Sequence, residues 1–273
     1  MNPLIEEVIE LIADRGWQES VPLVILAATR PLGLLYAFVG VTWAMGTARL
    51  MHMILAVALG FPMILVNLPV AEELIVEANV VKLGFIVITE IAIGVCLGWI
   101  SSLPFLAMSG AGAITDQFRG ESDSGLHPPT GGSISTFGLL YISIALVAFE
   151  NNNGFGHMVR ALYQSYIIWP IASTFPEFTR ETVMATLGIM GQATLIMVRV
   201  TLPVLVLLAI IEFSVTIGAR ISKRYNFYNM AFPLKNLAVI AALPVIAMFI
   251  WMMSNTIIMP VFVEIDLIAF FIR

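Results

Sequence analysis

Charge is scarce in this chain. Only 11% of its 273 residues are charged and 59% are hydrophobic, against about 25% charged and 45–50% apolar in a soluble domain. That shortage excludes an ordinary soluble enzyme, a disordered protein and a coiled coil. Positive charge is the scarcer sign: Lys+Arg total 13 against 18 for Asp+Glu, a formal net charge of −5. No basic surplus exists to neutralise phosphates, so nucleic acid is excluded as a partner. The one cysteine, Cys96, allows no internal disulfide and has no ligand cluster around it. It reads as a small apolar filler, and neither a metal nor another cofactor is expected. A secretory signal is also missing. Met1–Glu19 carries Glu6, Glu7, Glu10, Asp14 and Glu19 against Arg15 alone, the reverse of a positive n-region. Within it, Leu4, Ile5, Val8, Ile9, Leu11 and Ile12 alternate with acids, which predicts an amphipathic helix stopped at Gly16.

Long apolar segments fill the rest, at a mean hydropathy of +0.96. About 20 apolar residues cross a bilayer as a helix, and the candidates are Val21–Met45, Leu50–Val70, Val81–Ser109, Val183–Ile211 and Asn236–Val263, with the shorter Ser133–Phe149. Almost every one is interrupted, by Arg30-Pro31, Gly60 and Pro62, Glu90 and Pro104, Arg199 and Pro203, or Pro244 and Pro260. Phe155–Phe175, broken by His157, Arg160, Tyr163 and Gln164, reads as a helix packed on other helices. A charge at the centre of a lone spanning helix costs about 2.5–3.5 kcal/mol on insertion scales. An internal proline frees a carbonyl that a neighbouring helix or water must satisfy. The expected fold is therefore all-α, built of kinked and broken hydrophobic helices made to be covered by other helices. Gly94-x-x-x-Gly98 and Ser109–Ala113 read as close helix packing.

Arg220, Lys223, Arg224 and Lys235 cluster between the last two apolar segments, whereas Ala71–Asn79 is acidic, with Glu72, Glu73 and Glu77. The positive-inside rule makes the basic loop cytoplasmic and the last two segments a hairpin. The cluster is a topology signal on the plainer reading and a docking surface for a cytosolic partner on the other. Thr115–Pro129 is the one long polar segment, expected to form an ordered loop or plug. Its Asp123, Ser124 and His127 are too close in sequence to adopt a nucleophile–base–orienter geometry, so no catalysis is expected; a simple linker is the plainer alternative.

Glu90–Gly98 has the form E-x-x-x-G-x-x-x-G. Leu103-Pro104-Phe105 and Gly112–Gly120 follow, and Glu212-Phe213 through Asn229 and Pro233-Leu234-Lys235 supply a second match. With these motifs the chain resembles the export-apparatus proteins of type III secretion systems, the SctT/FliR/SpaR family. The D-x-x-R-G form at Asp116–Gly120 is closer to the injectisome branch than to the flagellar one, and His127-Pro128 departs from the acidic residue many members carry there.

The resemblance implies a bacterial inner-membrane, multi-pass subunit of a helical export gate, with no enzymatic activity. It implies SctR/FliP-like and SctS/FliQ-like neighbours, an SctU/FlhB-like switch protein at the cytoplasmic mouth, inner rod or needle components above, and unfolded exported proteins as cargo. Residues 1–180 would be the SctR/FliP-like portion and 181–273 the SctS/FliQ-like hairpin. Gly112, Asp116, Phe118, Arg119, Gly120 and Gly125 would form the plug. Arg30, Glu90, Arg199 and Glu212, with Lys235, would be buried charges satisfied between subunits, and Arg220, Lys223, Arg224 and Lys235 would dock the switch protein. A secondary transporter using its intramembrane charges is the competing class. It should show two similar halves, and no such repeat is evident.

Overall fold

The computed structural model describes residues 17–45, 48–77, 80–120, 135–171, 180–221 and 227–253. All regular elements among them are α-helices: α1 (Trp17–Ala37), α2 (Val39–Met45), α3 (Arg49–Glu77), α4 (Val80–Arg119), α5 (Thr136–Asn151), α6 (Gly154–Ile168), α7 (Arg180–Ile221) and α8 (Phe227–Met253). The expected amphipathic segment Leu4–Ile12 lies outside the described residues. Among the described residues three helices are long and apolar enough to cross a membrane, over Val81–Arg119, Thr186–Ile221 and Met230–Met253.

Several boundaries differ from the sequence expectation. Val21–Met45 breaks at Phe38 into α1 and α2. Ala71–Glu77 belongs to α3 rather than to an acidic loop, because nothing there breaks a helix. The basic loop is also shorter than expected, since Arg220 sits in the last turn of α7 and Lys235 lies inside α8.

The described chain forms two compact units, neither continuous in sequence. One contains α1, α2, α3, the first part of α4 through Ser102, and α6; the other contains α4 from Leu103, α5, most of α7, and α8.

In the first unit α1 packs on α3, and glycines set the approach. A Cβ on Gly60 would strike the Ala27 carbonyl. Between α1 and α4 the fit is reciprocal. A Cβ on Gly33 would strike the Ile91 carbonyl, and Cβ atoms on Gly94 and Gly98 would strike the carbonyls of Arg30 and Leu34. The E-x-x-x-G-x-x-x-G pattern is thus a backbone-to-backbone seat.

Two tyrosines reach helix carbonyls near prolines. Pro31 has no N–H to give the Ala27 carbonyl; the Tyr166 hydroxyl donates to it instead, at 3.2 Å. In the turn before Pro62 the Leu59 carbonyl takes the Tyr163 hydroxyl, also at 3.2 Å. Both tyrosines stand on α6, whose burial of Met158, Leu162, Ser165 and Tyr166 confirms a helix packed against other helices. Burial pushes both phenols above their ordinary pKa, so they stay protonated and keep donating. At the α1–α2 break the Ser102 hydroxyl accepts from the Val39 N–H at 2.9 Å and lies 3.0 Å from the Ala37 carbonyl and 2.7 Å from that of Gly98. Backbone groups exposed by irregular helix in apolar surroundings are met by side chains, not left open.

In the second unit Phe105 and Phe149 meet edge to face at 5.3 Å. Gly112 lies against the start of α5 so closely that a Cβ would overlap Phe137 and Gly138. α5 ends at Asn152, and Asn153 takes a left-handed φ of 56°, a conformation asparagine tolerates.

Two substitutions test this packing. Tyr166→Phe should cost about 1–3 kcal/mol, the penalty for an unsatisfied buried carbonyl, as read by thermal unfolding in detergent. In a Pro31→Ala background the restored N–H serves Ala27, and the cost should largely vanish. Gly94→Ala should destabilise by about 1–3 kcal/mol or more through overpacking. Gly84→Ala, with open space around it, should be neutral or stabilising; equal melting of these two glycine variants would refute the close seat.

Candidate functional site

Each unit is organised around one buried arginine. Arg30 is fully buried in the first unit. Its Nε donates to Glu90 Oε2 at 2.7 Å, Nη1 to the Ser165 hydroxyl at 3.1 Å, and Nη2 to the Trp169 carbonyl at 2.9 Å, while the guanidinium lies 4.1 Å from the Tyr166 ring centroid. The planar fork of Arg suits such divergent acceptors better than a lysine would. One cation therefore ties α1 to α4, to α6 and to the residue just beyond α6. Arg30 and Glu90, expected to be satisfied between subunits, satisfy each other within the chain.

The second centre lies at the end of α4. Thr115–Arg119, expected in the polar loop, belongs to the helix. The reason is local: Thr115 turns its hydroxyl back to the Ala111 carbonyl at 2.9 Å, and Asp116 and Arg119 are buried rather than solvated. Gly120 ends the helix with a φ of 95°, its N–H reaching the Gln117 carbonyl at 3.0 Å, a left-handed position that favours glycine.

Asp116 has two duties. Oδ1 receives Arg119 Nη2 at 2.7 Å, and Oδ2 receives the Phe137 N–H at 2.8 Å. Phe137 stands in the first turn of α5, where Ser135 caps the helix by accepting the Gly138 N–H at 3.0 Å. Asp116 thus satisfies a second orphan donor of that turn and places a carboxylate at a helix N-terminus. Arg119 also lies over the Phe137 ring, 4.7 Å from its centroid. Both ends of the segment between Gly120 and Ser135 are fixed by this one carboxylate.

Lys235 of α8 joins the same end. Its Nζ pairs with Glu212 of α7 and approaches the Phe118 carbonyl at 3.3 Å. Lys235 and Glu212 stand at matching distances from the connection between their helices, as in an antiparallel hairpin. Lys235, expected to dock a partner, is largely buried and engaged within the chain.

The remaining candidates are dispersed. Phe118 is exposed, and so is Arg220. Arg199 and Glu212, expected to be satisfied between subunits, are exposed on this chain, Glu212 in its pair with Lys235. Gly125, Lys223 and Arg224 lie outside the described residues. Among the described residues no cluster of His, Cys, Asp and Glu fit to hold a metal is found. The sequence reading missed Ser165, Trp169, Phe137 and the hydroxyls of Tyr163 and Tyr166. Only Ser135 had a readable signal, a cap residue just ahead of an apolar run.

Comparison with known proteins places these features in a family. The profile of the family described as "Bacterial export proteins, family 1" matches residues 21–260. The Yop proteins translocation protein T of Yersinia pestis is 29% identical over 187 residues, covering 68% of this chain and 71% of that protein. The secretion system apparatus protein SsaT of Salmonella typhimurium is 26% identical, over 56% of this chain and 60% of its own length. The surface presentation of antigens protein SpaR of Shigella flexneri is 24% identical, over 57% and 60%.

The clamp makes a direct prediction. Asp116→Asn keeps an acceptor for Phe137 but strips the buried Arg119 of its counter-charge, and should cost about 3–5 kcal/mol. Replacing the pair together, Asp116→Asn with Arg119→Met, removes the buried charge while keeping the acceptor for Phe137, and should recover much of that loss. Chemical denaturation of the purified chain measures both; an unchanged midpoint in Asp116→Asn would show the pair to be dispensable.

Proposed function

Because the chain belongs to the bacterial export protein family of type III secretion, the SctT/FliR/SpaR family, we propose that it is a structural and gating subunit of the export gate at the inner membrane. In this reading it performs no bond chemistry. It contributes part of a narrow conduit for unfolded proteins, packed with SctR/FliP-like and SctS/FliQ-like subunits, with an SctU/FlhB-like switch protein at the cytoplasmic end and rod or needle components above. Residues 1–180 play the SctR/FliP-like part and 181–273 the SctS/FliQ-like hairpin.

The observation that carries the reading is the surplus of apolar surface on α7. The apolar run Thr186–Ile221 has 36 residues, about 54 Å at the helical rise, against a hydrocarbon core of about 30 Å. Exposed Val198, Leu202, Val206, Ile210, Phe213 and Ile217 continue along it. Lipid covers only part of such a helix, and patches of that extent on a chain mark contact with other proteins. The competing transporter reading drew on buried charges at one midplane site. Arg30 and Glu90 close on each other, and Arg199 and Glu212 face outward, which leaves it without such a site.

In the gate, the segment between Gly120 and Ser135 serves as this subunit's share of the plug, with Gly112, Asp116, Phe118, Arg119, Gly120 and Gly125 as its base and hinge. Asp116 and Arg119 hold the base rather than forming the moving part. The Lys235 contacts with Glu212 and Phe118 link the hairpin to that base, so a partner bound near Arg220, Lys223 and Arg224 acts on the plug through α8.

The subunit reading is tested by extraction in detergent, where the chain should co-purify with two small hydrophobic subunits. Excising Glu121–Gly125, which spares the Asp116 clamp, should leave that assembly intact and raise ion leak across the membrane; normal leak from a normally assembled complex would remove the plug role.

A further inference from the structure

The outward face of α7 carries a cation in its middle. Ala193, Ile196, Val200, Val204 and Leu208 form the face buried within the unit. Opposite them, Leu195, Val198, Leu202 and Val206 are exposed, and Arg199 is exposed within that row. Among the described residues no ion pair joins its guanidinium to a carboxylate, whereas Glu90, Asp116 and Glu212 pair with Arg30, Arg119 and Lys235. One and two turns before Leu195, Gly191 and Gly188 have open space where a side chain would stand.

Three surroundings are available to such a face. Water is a poor match for apolar rows that run the length of the helix. Lipid suits the apolar rows but not the guanidinium set among them, thirteen residues inside the apolar run, which must reach the headgroups or draw water in. Protein suits both the apolar rows and the charge, provided the covering surface brings an acceptor. In a dry contact the acceptor that best matches a guanidinium is a carboxylate, which takes two parallel N–H bonds and cancels the charge.

We propose that the α7 face centred on Arg199 is the seat of an apolar helix from another subunit of the export apparatus, and that this helix carries an Asp or Glu side chain opposite Arg199. The proposal rests on the subunit reading above and adds the chemistry of the neighbour to it. The open turns at Gly188 and Gly191 let the neighbour's backbone come close beside the charged contact.

The test uses the full chain expressed with the hydrophobic subunits that co-purify with it, in Arg199→Leu, Arg199→Lys and Arg199→Glu forms. Incorporation into the extracted complex should fall about tenfold or more for Leu and Glu, since the opposing carboxylate is then buried without a partner, and fall less for Lys, which keeps the charge but not the two parallel bonds. Replacing one Asp or Glu in a helix of a co-purifying subunit by Lys should restore the Arg199→Glu form. Because Arg199 is exposed on the chain, all three variants should melt with the wild type when purified alone, which separates lost assembly from lost folding. Wild-type or better incorporation of Arg199→Leu would overturn the proposal in favour of a lipid-facing arginine, while the subunit reading would stand. Lower melting of the lone Arg199→Leu chain, matching its lost incorporation, would overturn it in favour of an internal role. Failure of the wild-type chain to co-purify with any subunit would overturn the subunit reading and this one together.

Discussion

A helix surrounded by apolar side chains has no water to repair its faults, so each fault must be repaired by another part of the protein. The first unit is arranged by that constraint. Pro31 leaves the Ala27 carbonyl to Tyr166, Tyr163 adds a bond to the Leu59 carbonyl of α3, and the break after Ala37 is stitched by Ser102. Arg30 is the same problem in ionic form, and Glu90, Ser165 and the Trp169 carbonyl answer it. α6, the least hydrophobic-looking of these helices, supplies most of the answers. Its polar residues are not interruptions of a span; they are the partners that Pro31 and Arg30 of α1 require.

The second unit applies the same logic at a helix end. A polar sequence at the close of α4 is drawn into the interior because Asp116 serves a cation and a helix N-terminus at once. The outcome is a fixed end of α4, joined through Lys235 to Glu212 of α7.

What the sequence made legible followed from composition and local pattern. The all-helical class, the packed character of α6 and the tight approach at Gly94 and Gly98 were readable because hydrophobic periodicity and small-residue spacing are local properties. The pairing of Asp116 with Arg119 is local too, a single helical turn. The Arg30 site was half legible: the charges at positions 30 and 90 demanded partners, but nothing local says that they choose each other, or that Ser165 and Trp169 complete the set. Helix ends misled where polarity was taken for loop. Thr115, Asp116 and Arg119 look solvated in sequence and are buried in fact; the Phe137 contacts of Asp116 and Arg119 lie beyond the reach of any window. For Arg199 and Glu212 the charge inside an apolar run demanded a partner, and the sequence does not say which: Glu212 meets Lys235, while Arg199 is exposed on the chain.

The dependence of α1 on α6 has a consequence for biosynthesis. The ribosome delivers Arg30, Pro31 and Pro62 long before it delivers Tyr163, Ser165 and Tyr166. Until then the nascent chain holds a cation with only Glu90 to answer it and the Ala27 carbonyl without its donor. The first unit therefore cannot close in chain order; its earliest helices wait for a helix synthesised after the Leu103–Gly154 part of the second unit has emerged.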